Sequence, residues 1–203
     1  RFYDVTEGKI LVDGVNVKDY QLEDLHNKIG YIPQKAVLFS GDIKSNLDFG
    51  QSNESPLDDE KMWSALDLAQ AKSFVEEKEG GLHSEVAQSG TNFSGGQKQR
   101  LALAINLVAN KDIYIFDEAT SNIDIESEAI IMNNIKELSK EKSVIVISHR
   151  LANVIAADTI YYIEDGEVKE HGTHAELMNM HEGYAKLYTT QKNLEEGYTE
   201  VIA

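Results

Sequence analysis

The 203 residues contain no cysteine and only two prolines. The first absence excludes disulfides and thiolate chemistry, and it fits a reducing compartment. Basic residues are scarce. Nineteen Lys and Arg stand against 35 Asp and Glu, for a net charge of −16. Such a chain has no bulk attraction for a nucleic-acid backbone, so no nucleic-acid partner is expected. It is an equally poor candidate for lying on anionic lipid through a basic face. No apolar run approaches the roughly 18 residues that would cross a bilayer as a helix. The chain opens Arg1-Phe2-Tyr3-Asp4, without Met and without a signal-peptide pattern. It therefore reads as part of a longer polypeptide, or a trimmed form of one.

What is present is a folded composition, 41% hydrophobic and 27% charged, of a length ordinary for one α/β domain. Short apolar runs rich in β-branched residues alternate with amphipathic stretches, which predicts βα units around a mostly parallel sheet. Lys9 to Val12 and Val15 to Val17 flank Asp13-Gly14, the sequence of a type I′ hairpin. Leu22 to Lys28 reads as a short helix, and Ile29 to Pro33 as a strand ending in Gln34. From Asp42 to about Lys78 the apolar spacing is helical, broken near Pro56, and reads as a small helical insertion. Gly80 to Phe93 reads as a polar loop and Gly95 to about Ala109 as a helix. Ile113 to Phe116 and Val144 to Ile147 have the character of buried strands. Between them, Ile125, Ala129, Met132, Ile135 and Leu138 recur at steps of three and four, predicting an amphipathic helix. Thr159 to Ile163 and Glu167 to His171 flank Asp165-Gly166, a second hairpin. Thr173 and Glu176 have the spacing of a capping box for a last helix. Residues from about Asn193 are expected to fray.

Three of these strands end in polar residues: Gln34, Asp117-Glu118 and Ser148-His149. Ligands of open α/β sheets bind beyond the carboxyl ends of the strands. If the strands are neighbours, the ends bring together an acid pair, an amide and an imidazole, a set suited to a metal–phosphate site. In that reading Asp117 holds Mg²⁺ through water and Glu118 orients and deprotonates an attacking water. Gln34 touches the metal or that water, and His149 bonds a phosphate oxygen. Taken singly, each is more often a structural residue; only the joint pattern favours chemistry. A second constellation is Phe93-Ser94-Gly95-Gly96-Gln97-Lys98-Gln99-Arg100, ahead of an apolar helix. Ser94 and Gln97 have capping-box spacing, and the glycines allow close approach to the helix N–H groups, an anion site. A merely well-capped helix is the plain alternative for this stretch alone.

These residues resemble the motifs of ATP-binding cassette (ABC) ATPases, and the resemblance runs over nearly the whole chain. Phe93-Ser94-Gly95-Gly96-Gln97 resembles the signature motif. Ile113-Tyr114-Ile115-Phe116-Asp117-Glu118 resembles the Walker B strand with its catalytic glutamate. Ser121-Asn122-Ile123-Asp124 resembles the D-loop, Gln34 the Q-loop glutamine and His149 the switch histidine. Gln34 to Ile43 and Ser84-Glu85-Val86 further resemble the post-Q-loop segment and X-loop of type B multidrug and lipid exporters. The Walker A pattern Gly-x-x-x-x-Gly-Lys-Ser/Thr is absent; Gly8-Lys9 is followed by Ile10 and has no glycine five residues earlier. Phe93 stands for the usual leucine, Asn122-Ile123 for Ala-Leu, and Ala87-Gln88-Ser89 for Gly-Glu-Arg.

The resemblance implies a P-loop NTPase-like (RecA-like) α/β fold lacking its N-terminal strands and Walker A loop. It implies a RecA-like core over about 1–41 and 110–192, with a helical subdomain over about 42–109. It implies ATP and Mg²⁺ as ligands, and a second ABC domain as partner, identical or not. Gln34, Asp117, Glu118 and His149 would serve the domain's own nucleotide, with Asp117 and Gln34 at the metal. Ser94, Gly95, Gly96 and Gln97 would serve the partner's, and Asp124 of the D-loop would be a further nucleotide-binding residue. A transmembrane domain would dock at about Ala36 to Leu47, placing the domain at the cytoplasmic face of the cell membrane as an export ATPase. Two other readings stay open: a catalytically inactive fragment or interaction module, because the phosphate-cradling loop is absent, and a soluble ABC ATPase.

Overall fold

The structure is a computed structural model that describes Arg1, residues 3–49 and residues 57–202, with the backbone alone for 195–202. Phe2, the break expected near Pro56 and the final Ala203 lie outside the described residues. The chain forms two compact units, Arg1–Ile147 and Ser148–Ala203.

The first unit begins with a hairpin of β1 (Leu11–Val12) and β2 (Val15–Asn16). Asp13 (φ 51°) and Gly14 (φ 78°) both occupy the left-handed region, as the expected I′ turn demands. Helix α1 (Leu22–Lys28) leads into β3 (Ile29–Ile32), a strand one residue shorter than expected. Next come β4 (Gly41–Asp42), α2 (Ile43–Phe49), α3 (Asp59–Leu68) and α4 (Lys72–Glu76), which account for the helical insertion. The stretch expected to be a polar loop holds a short strand, β5 (Glu85–Val86), paired antiparallel with β4. Asn92 pins that loop: its amide donates to the Glu85 carbonyl (2.7 Å) and its oxygen accepts from the Ala87 amide (3.0 Å). Two-residue strands carry no periodicity, which is why the pattern missed them.

Helix α5 (Gly95–Leu107), β6 (Ile113–Asp117), α6 (Ile125–Leu138) and β7 (Ser143–Ile147) complete the unit. Strands β3, β6 and β7 form one parallel sheet with β6 in the centre. The α/β architecture around a parallel sheet expected from the alternation is therefore present, with the remaining described strands paired antiparallel in twos. Alternation of side chains puts Ile32, Tyr114 and Phe116 on a buried face, in one core with Leu101, Leu103 and Ala104 of α5 and Ile131 and Ile135 of α6. Burying Phe116 alone contributes roughly 1.5–3 kcal/mol. The other face carries Tyr31, Ile145 and Ile147, all exposed.

The α6 stripe differs from expectation. Ile125 and Ala129 are exposed, and the buried side is Glu128, Ile131 and Ile135, flanked by Met132 and Leu138. The first turn of α6 points outward, and the carboxylate of Glu128 goes inside because Thr120 donates to it at 2.6 Å.

In the second unit β8 (Ile160–Glu164) and β9 (Glu167–Gly172) form the expected hairpin around Asp165 (φ 52°) and Gly166 (φ 76°). The Thr173–Glu176 capping box opens α7 (His174–Met180). One last helix was expected, and there are two: His181 turns left-handed (φ 58°) and α8 (Gly183–Ile202) follows. The Tyr184 amide donates to Glu170 Oε1 (3.0 Å), which satisfies one orphan N–H of the new helix. Helical backbone continues through the stretch expected to fray. No described helix is long and apolar enough to cross a membrane.

Gly30 fixes how closely β3 approaches β6. A Cβ there would lie 2.8 and 2.9 Å from Tyr114 Cδ1 and Cε1. The Tyr114 ring cannot give way easily, because its hydroxyl accepts from the Lys111 amide at 2.9 Å. Gly30→Ala is expected to destabilise the unit by about 1–3 kcal/mol through overpacking. A denaturant midpoint equal to that of the wild type would show that the ring moves aside.

Candidate functional site

The parallel register places the end of β6 beside the end of β7, with Asp117 paired to Ile147. The chain then turns sharply. Glu118 adopts φ 47°, a left-handed conformation that costs a non-glycine residue on the order of 1–3 kcal/mol and clusters at functional sites. Its amide donates to the Ile147 carbonyl at 2.9 Å, so the strained residue is anchored to the neighbouring strand. The turn aims the Glu118 carboxylate at the segment leaving β3, where the Gln34 amide donates to Glu118 Oε2 at 2.5 Å. Thus the structure brings Gln34, Asp117 and Glu118 together, as the three-strand argument required of the first two strand ends.

Tyr31 is a member that sequence reasoning missed. Its hydroxyl donates to Asp117 Oδ2 at 2.8 Å, and this bond, with smaller contributions from burial and the carboxylate charge, pushes the phenol up. The period-two pattern could have found it: Tyr31 pairs with Ile115 and so shares a sheet face with Asp117.

Beyond Glu118 the chain winds back in short turns. The Ser121 amide donates to the Glu118 carbonyl (3.1 Å) and the Ile123 amide to the Thr120 carbonyl (3.0 Å). Asp124 then caps α6, its side chain accepting from the Ser127 amide at 2.9 Å. That bond is the main cause that holds the Asp124 carboxyl below its ordinary value, with the Arg100 charge a minor contributor.

The second constellation sits at the start of α5. Ser94 Oγ accepts from the Gln97 amide (3.2 Å) and Gln97 Oε1 accepts from the Ser94 amide (3.0 Å), so the capping box is present. The box occupies two of the helix's unpaired donors, and the Gly95 and Gly96 amides are the remaining ones in the first turn. A Cβ on Gly95 would meet nothing within 4 Å, whereas one on Gly96 would lie 3.0 Å from the Asn122 carbonyl oxygen. Gly96 therefore lets the Ser121–Asp124 segment lie directly against α5, and Ser94, Gly95, Gly96, Gln97 and Asp124 belong to one neighbourhood of the first unit. On the next turn Gln99, almost fully buried, donates to the Pro33 carbonyl at 3.4 Å, one residue before Gln34.

His149 belongs to the second unit. It is exposed, and it follows Ser148, whose hydroxyl accepts from the Arg150 amide at 3.0 Å and so shapes the turn that carries the imidazole.

The donor set suits a hard cation. Asp117 and Glu118 offer carboxylate oxygens and Gln34 an amide oxygen. Among the described residues no three or more His, Cys, Asp or Glu gather into a metal cage. Mg²⁺ is ordinarily held by one or two carboxylates together with water and phosphate oxygens. The residues present therefore fit Mg²⁺ carried on a phosphate ligand.

A model of the family described as ABC transporter matches residues 1–121. The chain belongs to the ABC transporter family. It is 42% identical over 191 residues to a Staphylococcus aureus protein named as a multidrug export ATP-binding/permease protein. It is 40% identical over 191 residues to a multidrug resistance ABC transporter ATP-binding and permease protein of Lactococcus lactis. Each match covers 94% of this chain and 32% of the relative, so the chain spans about a third of the length of these curated relatives. The structure of a bacterial Atm1-family ABC exporter with ATP bound superposes with a TM-score of 0.89 at 33% identity, covering 95% of this chain and 33% of that one.

The Asp124 cap yields a pH-dependent prediction. A carboxyl whose folded value lies below its ordinary 3.8 adds stability that is fully present above pH 3.8 and is lost as pH falls through the folded value. Asp124→Asn keeps a capping oxygen and removes the charge. The variant is expected to melt below the wild type near neutral pH, and the gap is expected to close in acid below pH 3.8. Thermal melts of both proteins across that range measure it; a gap independent of pH would mean that the charge contributes nothing.

Proposed function

We propose that this chain is a nucleotide-binding domain of an ABC exporter, in which ATP binding and hydrolysis power export of a substrate across a membrane. The observation that carries the reading is the bond from Gln34 to Glu118 beside Asp117, at the joined ends of β3, β6 and β7. It is the arrangement needed to hold and orient a general base next to a cation-binding carboxylate. Two relatives named for multidrug export, and a structural neighbour that holds ATP, support the same reading.

In this proposal Glu118 accepts a proton from the attacking water, and Gln34 holds the Glu118 carboxylate in place until then. Asp117 and Gln34 would hold Mg²⁺. Mg²⁺, when bound, neutralises charge on the phosphate oxygens. His149 hydrogen-bonds the terminal phosphate. The Ser94, Gly95, Gly96 and Gln97 turn serves the nucleotide of a second ABC domain, identical or not, and Asp124 of the D-loop is a further nucleotide-binding residue. The helix N-terminus and its exposed amides supply the anion site that role needs. The domain would work at the cytoplasmic face of the cell membrane.

A transmembrane domain is the second partner, docking at Ala36 to Leu47. The apolar run there is not a core strand. Leu38 is buried, but Val37 and Phe39 are exposed, and Phe39 packs its ring on exposed Phe49 at 4.6 Å. The Asn46 side chain replaces a strand partner: its oxygen accepts from the Phe39 amide and its nitrogen donates to the Phe39 carbonyl, both at 2.9 Å. An aromatic pair held out by a satisfied backbone fits an anchor for a short helix of a transmembrane domain.

One sequence feature favours a second reading, a module that does not turn nucleotide over by itself: these residues contain no Gly-x-x-x-x-Gly-Lys-Ser/Thr cradle. Comparing the isolated chain with the full-length product of its gene separates the two. In the full-length product, Glu118→Gln is expected to cut ATP hydrolysis by about 100-fold or more, the worth of a general base, while ATP binding persists. Unchanged turnover would assign the base elsewhere, and absent turnover in the wild-type product would favour the second reading.

Phe39→Ala in the same product is expected to lower substrate-stimulated ATPase more than basal ATPase. A large fall in the melting temperature with stimulation intact would return Phe39 to a purely structural role.

A further inference from the structure

Arg100 carries a charge that none of the proposed chemistry uses. It is half-buried on the second turn of α5, and its Nε is enclosed without a hydrogen-bond partner. Its Nη1 donates to the Gln70 carbonyl at 3.0 Å and reaches Ser127 Oγ at 3.4 Å, and its guanidinium lies 5.1 Å from the centroid of the Phe74 ring. Three elements therefore meet at one side chain. Gln70 lies in the left-handed turn (φ 55°) between α3 and α4, and Phe74 lies on α4. Ser127 lies on α6 and supplies the amide bound by Asp124.

The surroundings point the same way. One turn earlier on α5, Gly96 already has the Asn122 carbonyl 3.0 Å from where a Cβ would stand. Farther along α6, the Asn134 amide donates to the Leu68 carbonyl at 2.9 Å, so α6 is tied to the end of α3 at a second point. Arg100 lies between Gly96 and the end of α5 in sequence and meets α6 at Ser127, between Asn122 and Asn134. The planar guanidinium reaches both acceptors through Nη1 while its flat face lies against the Phe74 ring; a lysine ammonium has donors enough but carries them on one tetrahedral nitrogen at the end of a shorter stem, without that flat face.

We propose that Arg100 is a positioning residue for the Ser121–Asp124 segment, clamping the start of α6 to α5 and to the α3–α4 turn so that this segment and the Ser94–Gln97 turn hold one fixed arrangement. That the arrangement matters for catalysis rests on the proposed ATPase function; the clamp itself does not.

The test uses the full-length product with Arg100→Lys, Arg100→Gln, Ser127→Ala and the Arg100→Gln/Ser127→Ala double variant, and reads two quantities. The first is amide hydrogen exchange. Residues 121–127 are expected to exchange about tenfold faster in both Arg100 variants, while the central turns of α5 keep wild-type protection, the signature of local rather than global loosening. The second is steady-state ATPase, where kcat is expected to fall about tenfold with the KM for ATP within about twofold, the pattern of misplaced rather than missing binding groups. The double variant is expected to be no slower than Arg100→Gln alone, because the two side chains act through one contact.

Exchange of residues 121–127 unchanged in Arg100→Gln overturns the clamp. Full kcat and wild-type exchange in Arg100→Lys overturn the requirement for a bridging guanidinium. Faster exchange spread evenly over α5 and α6, with kcat lost only in proportion to unfolded protein, makes Arg100 a stability residue and overturns positioning. If the wild-type product hydrolyses no ATP, the functional reading fails, and the exchange measurement still decides the clamp.

Discussion

The parallel pairing of β6 with β3 on one side and β7 on the other is the constraint on which the site depends. A parallel ladder points its strands the same way, so their carboxyl ends lie along one edge of the sheet, and the register decides how closely the residues that follow emerge. Pairing Ile32 with Phe116 and Asp117 with Ile147 leaves no other place for Gln34, Asp117 and Glu118 to go. The register is held by the buried side: a one-residue slip would carry Tyr114 and Phe116 from the core to the exposed face. The close approach at Gly30 holds it further, since only a residue without a side chain lies over the Tyr114 ring. The geometry of the acidic end is thus set by packing on the opposite face of the same strand.

Helix α5 is the second organiser, and it works through polar contacts rather than apolar burial alone. Gln99 reaches the carbonyl of Pro33 next to Gln34, Gly96 admits the Asn122 backbone, and Arg100 reaches Ser127 and the Gln70 carbonyl. Buried polar groups cost free energy unless satisfied, and they specify one arrangement when they are. The same helix therefore touches the segment before Gln34 and the segment after Glu118, with its exposed N-terminal turn in between.

Much of this was legible in the residues. Strands β6 and β7, helices α1 and α6, both I′ hairpins and both capping boxes follow from local chemistry: β-branched runs, helical spacing, Asp-Gly pairs and the Ser/Thr-x-x-Gln/Glu spacing. The neighbourhood of Gln34, Asp117 and Glu118 followed too, because strand ends are a property of topology. What was not legible depends on tertiary partners. The β4–β5 pair is too short for a pattern. The backbone of Phe39 is held by the Asn46 side chain, seven residues on, a partner that no local pattern names. Ile125 has the right spacing for the α6 stripe, yet it is exposed while Glu128 is buried, because Thr120 waits inside to donate to the carboxylate. Strand alternation marks the face that Tyr31 shares with Asp117, but its partner is 86 residues away, and Arg100 acts through residues about 30 positions away that no local signal marks.

The capping box at Ser94 explains how one turn can be rigid and still available to a ligand. Ser94 Oγ accepts the Gln97 amide, and Gln97 Oε1 accepts the Ser94 amide. Accepting a bond uses a lone pair of the hydroxyl and leaves its own O–H as a donor. The Gly95 and Gly96 amides point out of the start of the helix, and the dipole adds positive potential at the same end. The turn thus presents three donors whose positions are fixed by bonds that do not consume them. Replacing the box by a looser cap would leave the donors in place but make a ligand bear the entropy of ordering them. In the proposed function that ligand is a nucleotide phosphate held by another domain, and a preformed turn lets the free energy of that contact go into bringing the two domains together.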